Sequence, residues 1–257
     1  MSLLFQGDVL PSVTTSQILL RRHRPQTLIT TDGNFGPRTK GAVVAFQRFH
    51  TLNPDGAIGK NTWAGFTSVS GFQTIDVVDG TDPSLITLEA TDLRAAGFDP
   101  IVVFGTSNGV DVVMDLIRAK ARQGNVMLLR FHGHGNRGFQ NVTGGEINGV
   151  PHLASIGSGN FSQVQPSLRK ISGIFVPFGS VQMLGCDVGG GAGTPLMRRL
   201  ADTWGVPVTA GLHTQFGGGS KTFRFEGPTV TGIPAGASLG GWSRAMQAAH
   251  GNVSMST

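Results

Sequence analysis

The chain predicts an α/β protein in two parts, a small N-terminal three-helix domain followed by a mostly parallel sheet flanked by helices. Three observations lead there. A short loop pattern occurs twice near the N-terminus, DGNFGPRT at Asp32–Thr39 and DGAIGKNT at Asp55–Thr62. From about Gly71, apolar runs alternate with segments of helical periodicity, the order that parallel sheets require. The 257 residues include 39 glycines and 13 prolines, and only 14% are charged, which favours tight turns over coiled coils or long solvated helices.

Both loops read D-G-x-[FI]-G-x-x-T. Asp-Gly supplies a turn with positive φ, Phe35 or Ile58 points inward, and the second glycine leads into a helix, helped after the first loop by Pro37. Ala42, Val43, Phe46 and Phe49 then mark one apolar helix face, and Trp63 and Phe66 do the same after the second loop. Upstream, SQILLRRH supplies a third helix. The stretch DGNFGPRTKGAVVAFQRFHTLNPDGAIGKNTW resembles the three-helix peptidoglycan-binding domain attached to many bacterial and phage cell-wall hydrolases. That resemblance implies a wall-binding unit over residues 1–68, with Phe46 and Trp63 in its core. Exposed polar groups near the loops, Arg38, Gln47 and Asn61, are its candidate ligand contacts. The approach RRHRPQTLITTDG departs from the family's shorter one.

The remainder, residues 69–257, reads as alternating strands and helices. FQTIDVVD is a strand; the helix after it begins past Asp82 and stops at Gly97; IVVFG is a strand. The next helix places Val110, Val113, Met114 and Ile117 on one face. VMLLRFHGHGNRG, Val126–Gly138, is a buried strand ending on two histidines. SVQMLGC is a strand, TPLMRRLADTWG a helix capped by Thr194, VPVTAG a strand, and GWSRAMQAAHG a final helix on the sheet. GLHTQFGGGSKTFRFEGP reads as a flexible substrate loop followed by an edge hairpin.

In such sheets chemistry sits beyond the carboxyl ends of the strands. Two reactive motifs fall there, HGHG and LGC. A cysteine becomes a good nucleophile as thiolate, with a histidine in reach, and Cys186 precedes a glycine-rich turn whose N–H groups are suited to an oxyanion. His134 is the candidate base. LLRFHGHGNRG followed by SVQMLGCDVGGGAGTP resembles the caspase-like cysteine peptidases, which include clostripain, gingipains and toxin self-processing domains. The resemblance implies Cys186 as nucleophile and His134 as base, with the N–H groups of Gly135 and Cys186 as oxyanion site and Gly185 in support. His132 either orients His134 or contacts substrate. Asp187, beside the nucleophile, is a candidate for selecting a basic side chain. HGH with Cys186 or His213 offers permitted zinc ligands, but no second pair has metal-ligand spacing, so no metal is expected. GGGAGTP lacks the Gly-Lys-Ser/Thr ending of a phosphate loop, and no cofactor is expected.

A net charge of +5 suits anionic partners such as wall polymers, and no basic run points to nucleic acid. The single cysteine excludes an intramolecular disulfide. No secretory signal and no apolar run long enough to cross a bilayer stands out, so action at the wall, periplasm or cell exterior implies export or release by another route. The expectation is a bacterial cell-wall-directed cysteine hydrolase, an effector or phage-type lytic protein, acting on peptidoglycan or a wall-associated peptide or protein. The alternatives are a non-catalytic wall-binding protein on a caspase-like scaffold, or a protease that cuts its own chain near Thr67 to Gly71.

Overall fold

The computed structural model describes residues 3–24, 28–105, 108–143, 146–147, 150–151 and 153–251. The first unit contains α1 (Pro11–His23), α2 (Pro37–Phe49) and α3 (Lys60–Ser70). The repeated loops launch α2 and α3 as expected. Gly33 and Gly56 have φ of 76° and 75°, Phe35 and Ile58 are fully buried, and Gly36 and Gly59 stand at the helix N-caps.

Each loop is held by one glutamine. Gln17 on α1 points its amide NH2 at Asp32 Oδ1, the Asn34 carbonyl and Thr39 Oγ1, and accepts from the N–H groups of Asp32 and Gly33. Gln47 on α2 does the same with Asp55 Oδ1, the Ala57 carbonyl and Thr62 Oγ1, and accepts from Gly56 N–H. Gln47 is thus a buried support of the second loop, 2% exposed, and not the ligand contact expected of it. Phe49 is a second correction: it lies off the core face, 59% exposed, with the Arg24 guanidinium 4.9 Å from its ring centre.

The second unit opens with β1 (Gln73–Asp79), then α4 (Pro83–Leu85), a π turn at Ile86–Ala90, and α5 (Thr91–Ala95). Next come β2 (Ile101–Val103), α6 (Gly109–Lys120) and β3 (Val126–His132). The short strands β4 (Gly135–Asn136), β5 (Phe139–Asn141), β6 (Glu146–Ile147), β7 (Val150–Pro151) and β8 (Ser155–Gly157) follow, with α7 (Phe161–Leu168). The chain continues through β9 (Phe175–Met183), α8 (Gly193–Trp204), β10 (Val208–Gly211), β11 (Thr229–Gly232) and α9 (Leu239–His250). The main sheet has the order β11-β10-β9-β3-β1-β2 and is parallel except for β11. The fold class is therefore as expected, mixed α/β with a mostly parallel sheet behind a helical N-terminal unit. The excursion between β3 and β9 was not foreseen, and α8 begins at Gly193, so Thr194 lies inside it and donates to the Gly189 carbonyl instead of capping.

A parallel sheet needs cover on both faces. On one, α6, α7 and α8 bury Val113, Met114, Val164, Leu196 and Leu200 against Ile75, Val77, Phe131, Val181 and Met183. On the other, Leu128 and Phe178 share one apolar cluster with Val13, Ile18, Leu19, Phe46, Trp63 and Phe66 of the first unit. Polar contacts fix that docking: Thr15 Oγ1 donates to the Phe178 carbonyl at 2.7 Å, and Arg22 Nε donates to the His250 carbonyl at 2.8 Å. The first unit is a layer of the fold. The expected boundary after residue 68 falls inside α3, and Gly71, at φ 72°, turns almost directly into β1. Thr67 to Ser70 are helical, so the expected self-cleavage stretch would have to unwind before any protease took it as an extended chain.

Gln47→Ala removes the second loop's internal support, leaves buried loop groups unpaired, and is expected to lower stability by about 2–4 kcal/mol. Urea unfolding followed by circular dichroism measures it; a change within error of wild type refutes the bracing role.

Candidate active site

The order in which strands are added reverses between β1 and β3, because β2 lies to one side of β1 and every later strand of the main sheet to the other. The crevice outside the carboxyl ends of those strands is the expected place for a ligand. Asp79 ends β1, His132 ends β3 ahead of Gly133, His134 and Gly135, and Leu184, Gly185 and Cys186 follow β9 alongside.

The glycines in these turns have a steric reason. A Cβ on Gly135 would lie 3.0 Å from the Cys186 carbonyl oxygen and 3.1 Å from its nitrogen. One on Gly185 would meet the Gly133 carbonyl oxygen and Gly135 Cα, each at 3.0 Å. The HGHG and LGC turns therefore touch main chain to main chain, which side chains would forbid. Gly185 N–H donates to Gln140 Oε1 at 2.8 Å, so Gly185 ties the turn to β5.

Within this frame each reactive side chain has a partner. His134, 57% exposed, lies 2.5 Å through Nε2 from Asp82 Oδ2. A carboxylate only accepts, so Nε2 carries the proton and, in the neutral ring, Nδ1 is left as the basic atom. The hydrogen bond from His134, followed by that from Ser84 N–H, pushes the Asp82 carboxyl down to about 2. Asp82 is also the N-cap of α4, its Oδ1 accepting from Ser84 N–H at 2.7 Å. The Cys186 thiol donates to the Gln215 carbonyl at 3.3 Å. Among the described residues no hydrogen bond joins Cys186 to His134: the fold brings their backbones together while their side chains engage other partners.

Asp187 stands next to the thiol in a left-handed conformation, φ 52°, that is costly for a residue with a Cβ. Its N–H donates to the His213 carbonyl, and its carboxylate accepts from Arg137 Nε at 2.9 Å. That carboxylate is thus paired with an exposed arginine of its own chain. Arg38 and Asn61 are exposed in the first turns of α2 and α3.

His132 faces away from the crevice. At 1% exposure it cannot touch substrate, and both ring nitrogens meet carboxylates, Nδ1 at 2.9 Å from Glu89 Oε2 and Nε2 at 3.1 Å from Asp76 Oδ1. Two acceptors require two donors, so the ring is an imidazolium. Burial alone would push it toward neutrality; the hydrogen bonds to Asp76 and Glu89 outweigh burial and raise its pKa above the ordinary 6.5. Asp76 also accepts from Arg130 Nε at 2.6 Å. Burial opposes its ionisation, yet the Arg130 guanidinium and the His132 hydrogen bond hold its carboxyl well below the usual carboxylate range. Arg130, fully buried, lies over the Phe223 ring, 5.5 Å from its centre. Two cations and two anions thus close a buried cluster under the crevice.

The sequence reading missed Asp76, Asp82, Glu89 and Arg130. A charge inside the apolar runs TIDVVD and VMLLRFH was the available signal for two of them, since a buried charge demands a partner. Asp82 carried only the signature of a helix cap. Among the described residues no cluster of three or more histidine, cysteine or acidic side chains forms a metal site, and no helix is long and apolar enough to cross a membrane.

Residues 10–64 match the family model described as a putative peptidoglycan binding domain. The helical N-terminal unit is thus a peptidoglycan-binding module. No curated protein and no solved structure matches the chain. A domain of this description fits association with a cell wall, and its loop-bracing glutamines and buried Trp63 and Phe46 are part of how it folds.

The imidazolium sets a pH dependence. A histidine whose folded pKa is raised contributes stability that is complete below 6.5 and is lost as pH rises through the folded value. His23, His50 and His250 are shifted down by burial and act with the opposite sign below 6.5. Urea stability is therefore expected to fall on the alkaline side of 6.5. His132→Gln should flatten that fall, and an unchanged slope in the variant would refute the charged cluster.

Proposed function

We propose that the protein is a cell-wall-directed cysteine hydrolase with a caspase-like catalytic unit, in which Cys186 attacks, His134 Nδ1 takes the thiol proton, and Asp82 positions the ring. The observation that carries this reading is the contact of the HGHG and LGC turns beyond the carboxyl ends of the neighbouring strands β3 and β9, with a Gly135 Cβ position only 3.1 Å from the Cys186 nitrogen. The roles follow from ordinary acyl-transfer chemistry. His134 Nδ1 takes the thiol proton and the ring becomes an imidazolium paired to Asp82, the thiolate adds to the scissile carbonyl, and the imidazolium gives that proton to the amine as the C–N bond breaks, leaving a thioester on Cys186. The Gly135 and Cys186 N–H groups are the candidate donors to the resulting oxyanion. Water hydrolyses the thioester with His134 again as base. The substrate class is a peptide bond in peptidoglycan stems or in a wall-associated protein, and the binding module concentrates the enzyme there. Export by a dedicated apparatus, or lysis, would bring an effector or lytic protein of this kind to its substrate.

A second reading, a wall-binding protein whose sheet unit is only a scaffold, is favoured by one observation. The thiol hydrogen bonds to Gln215 and His134 to Asp82, with no hydrogen bond between the pair.

Digestion of purified cell walls and of a peptide library separates the two. Wild type is expected to release products, Cys186→Ala and His134→Ala none above background, and Asp82→Asn about 10- to 100-fold less than wild type. Equal release from all four chains sinks the hydrolase reading. For the module, sedimentation of the full-length protein with insoluble peptidoglycan is expected to weaken on replacing both Arg38 and Asn61 with alanine, with unfolding unchanged. Undiminished binding would exclude these two as the contacts.

A further inference from the structure

Residues 212–228, between β10 and β11, form a strap that crosses the candidate site. The strap is built to hold one conformation. Gln215 folds back within it, Nε2 donating to the His213 and Glu226 carbonyls and Oε1 accepting from Glu226 N–H. Phe216 N–H donates to Glu226 Oε2. These bonds fix the Gln215 carbonyl, which accepts a hydrogen bond from the Cys186 thiol at 3.3 Å. The strap is fastened at both sides. Next to the thiol, Asp187 N–H donates to the His213 carbonyl at 2.9 Å. Across the crevice, Asp92 Oδ2 on α5 accepts from Gly219 N–H at 2.6 Å and from Thr222 Oγ1 at 3.0 Å. Glycine is required along the way. Gly218 and Gly219 have φ of 96° and 59°, and a Cβ on Gly217 would lie 2.5 Å from Glu89 Oε1.

We infer that this strap is an autoinhibitory device: it keeps Cys186 latent by engaging the thiol with the Gln215 carbonyl, and the site becomes competent when the strap lifts from Asp92. The inference deepens the hydrolase reading and rests on it for its consequence. The chemistry of latency is simple. A nucleophile needs the thiol proton removed, but that proton faces a carbonyl, and the oxygen's lone pairs would repel the charge of a thiolate. Lifting the strap frees the thiol from the Gln215 carbonyl, beside a histidine turn whose main chain already touches that of the cysteine turn.

The wall-binding unit has a hold on the same strap. Leu3 N–H donates to the Phe223 carbonyl at 2.7 Å, the Arg224 guanidinium lies 5.3 Å from the centre of the Phe5 ring, and a cavity of about 390 Å³ separates Leu3–Leu10 from Phe223–Thr229. Movement of the N-terminal segment therefore reaches the strap directly.

Alkylation of Cys186 by iodoacetamide, followed by intact mass, reads latency without asking for hydrolysis. The full-length wild type is expected to react slowly, and Asp92→Asn and Gln215→Ala at least about tenfold faster, because the strap opens more often. Hydrogen exchange at the strap amides, Phe216 and Gly219 among them, should rise in the same variants while that of β3 and β9 stays unchanged, which separates opening from unfolding. Equal alkylation rates in folded wild type and both variants overturn the device. Fast-alkylating variants that digest no wall or peptide would instead sink the hydrolase reading and leave the strap's role standing.

Discussion

The sheet's need for cover on its second face is the constraint from which the rest of the architecture follows. Leu128 and Phe178 on β3 and β9 point into the first unit, and the apolar side chains of α1, α2 and α3 close over them in one continuous cluster. A module that in sequence looks separable is thereby built into the fold, and its solvent-facing surface is reduced to the loops and outer helix faces. It also fixes where the N-terminal segment runs. Leu4 bridges to Ile58 and Val9 to Asn34, so the segment is strung across both repeated loops before it reaches the strap at Phe223. The N-terminal segment, the repeated loops and the strap thus share one framework.

The helical segment from Asp82 to Ala95 is the second joint of that framework. Its acids contact three different parts: Asp82 the exposed histidine, Glu89 the buried one, Asp92 the strap. Spacings of seven and then three positions keep residues near one face of a helix, and the π turn at Ile86–Ala90 lies between Asp82 and Asp92. The buried cluster then explains why this segment stays put. Glu89 is bound to His132, His132 and Arg130 to Asp76, and Arg130 lies beneath the strap's Phe223. Opposite charges are matched within the cluster, which is the condition for burying them at all, and removal of any one leaves an uncompensated neighbour. The cost of assembling it is returned as geometry: base, strap latch and sheet are held at fixed positions relative to one another.

How far the sequence revealed this depended on whether a signal was local. The strands at Ile75–Asp79, Val126–His132 and Val208–Gly211 were legible because a parallel sheet buried on both faces yields unbroken apolar runs. The repeated loops were legible because their spacing is identical. The glutamines that brace them were not, because Gln17 precedes its aspartate by 15 residues and Gln47 by 8, which hides the correspondence. Alternation correctly separated the turn residues from the strand core but put His132 and His134 on one face. The strand ends at His132, and Gly133, pressed against the Asn141 carbonyl, breaks the alternation before His134. Asp82 and Gln215 were invisible for a different reason. Their partners lie 52 and 29 residues away, and nothing in a local pattern encodes a contact that only the folded crevice creates. The excursion between β3 and β9 was missed because its strands are two or three residues long, too short to show periodicity.

The separation of the two reactive side chains carries different weight once the strap is considered. A mere scaffold gives no reason for the histidine and cysteine turns to meet main chain to main chain, a contact that Gly135 and Gly185 admit, while Gly133 lies against the Asn141 carbonyl. Nor does it account for a half-buried thiol hydrogen-bonded to a loop whose own glutamine and glutamate brace the carbonyl it meets. Contact of the backbones with disengagement of the side chains fits a latent site: the ends of β3 and β9 are already together, and what remains is the lifting of the strap and the engagement of His134 with the thiol. On that physical ground the hydrogen bond from Cys186 to Gln215 is better read as a stop on the chemistry than as its absence.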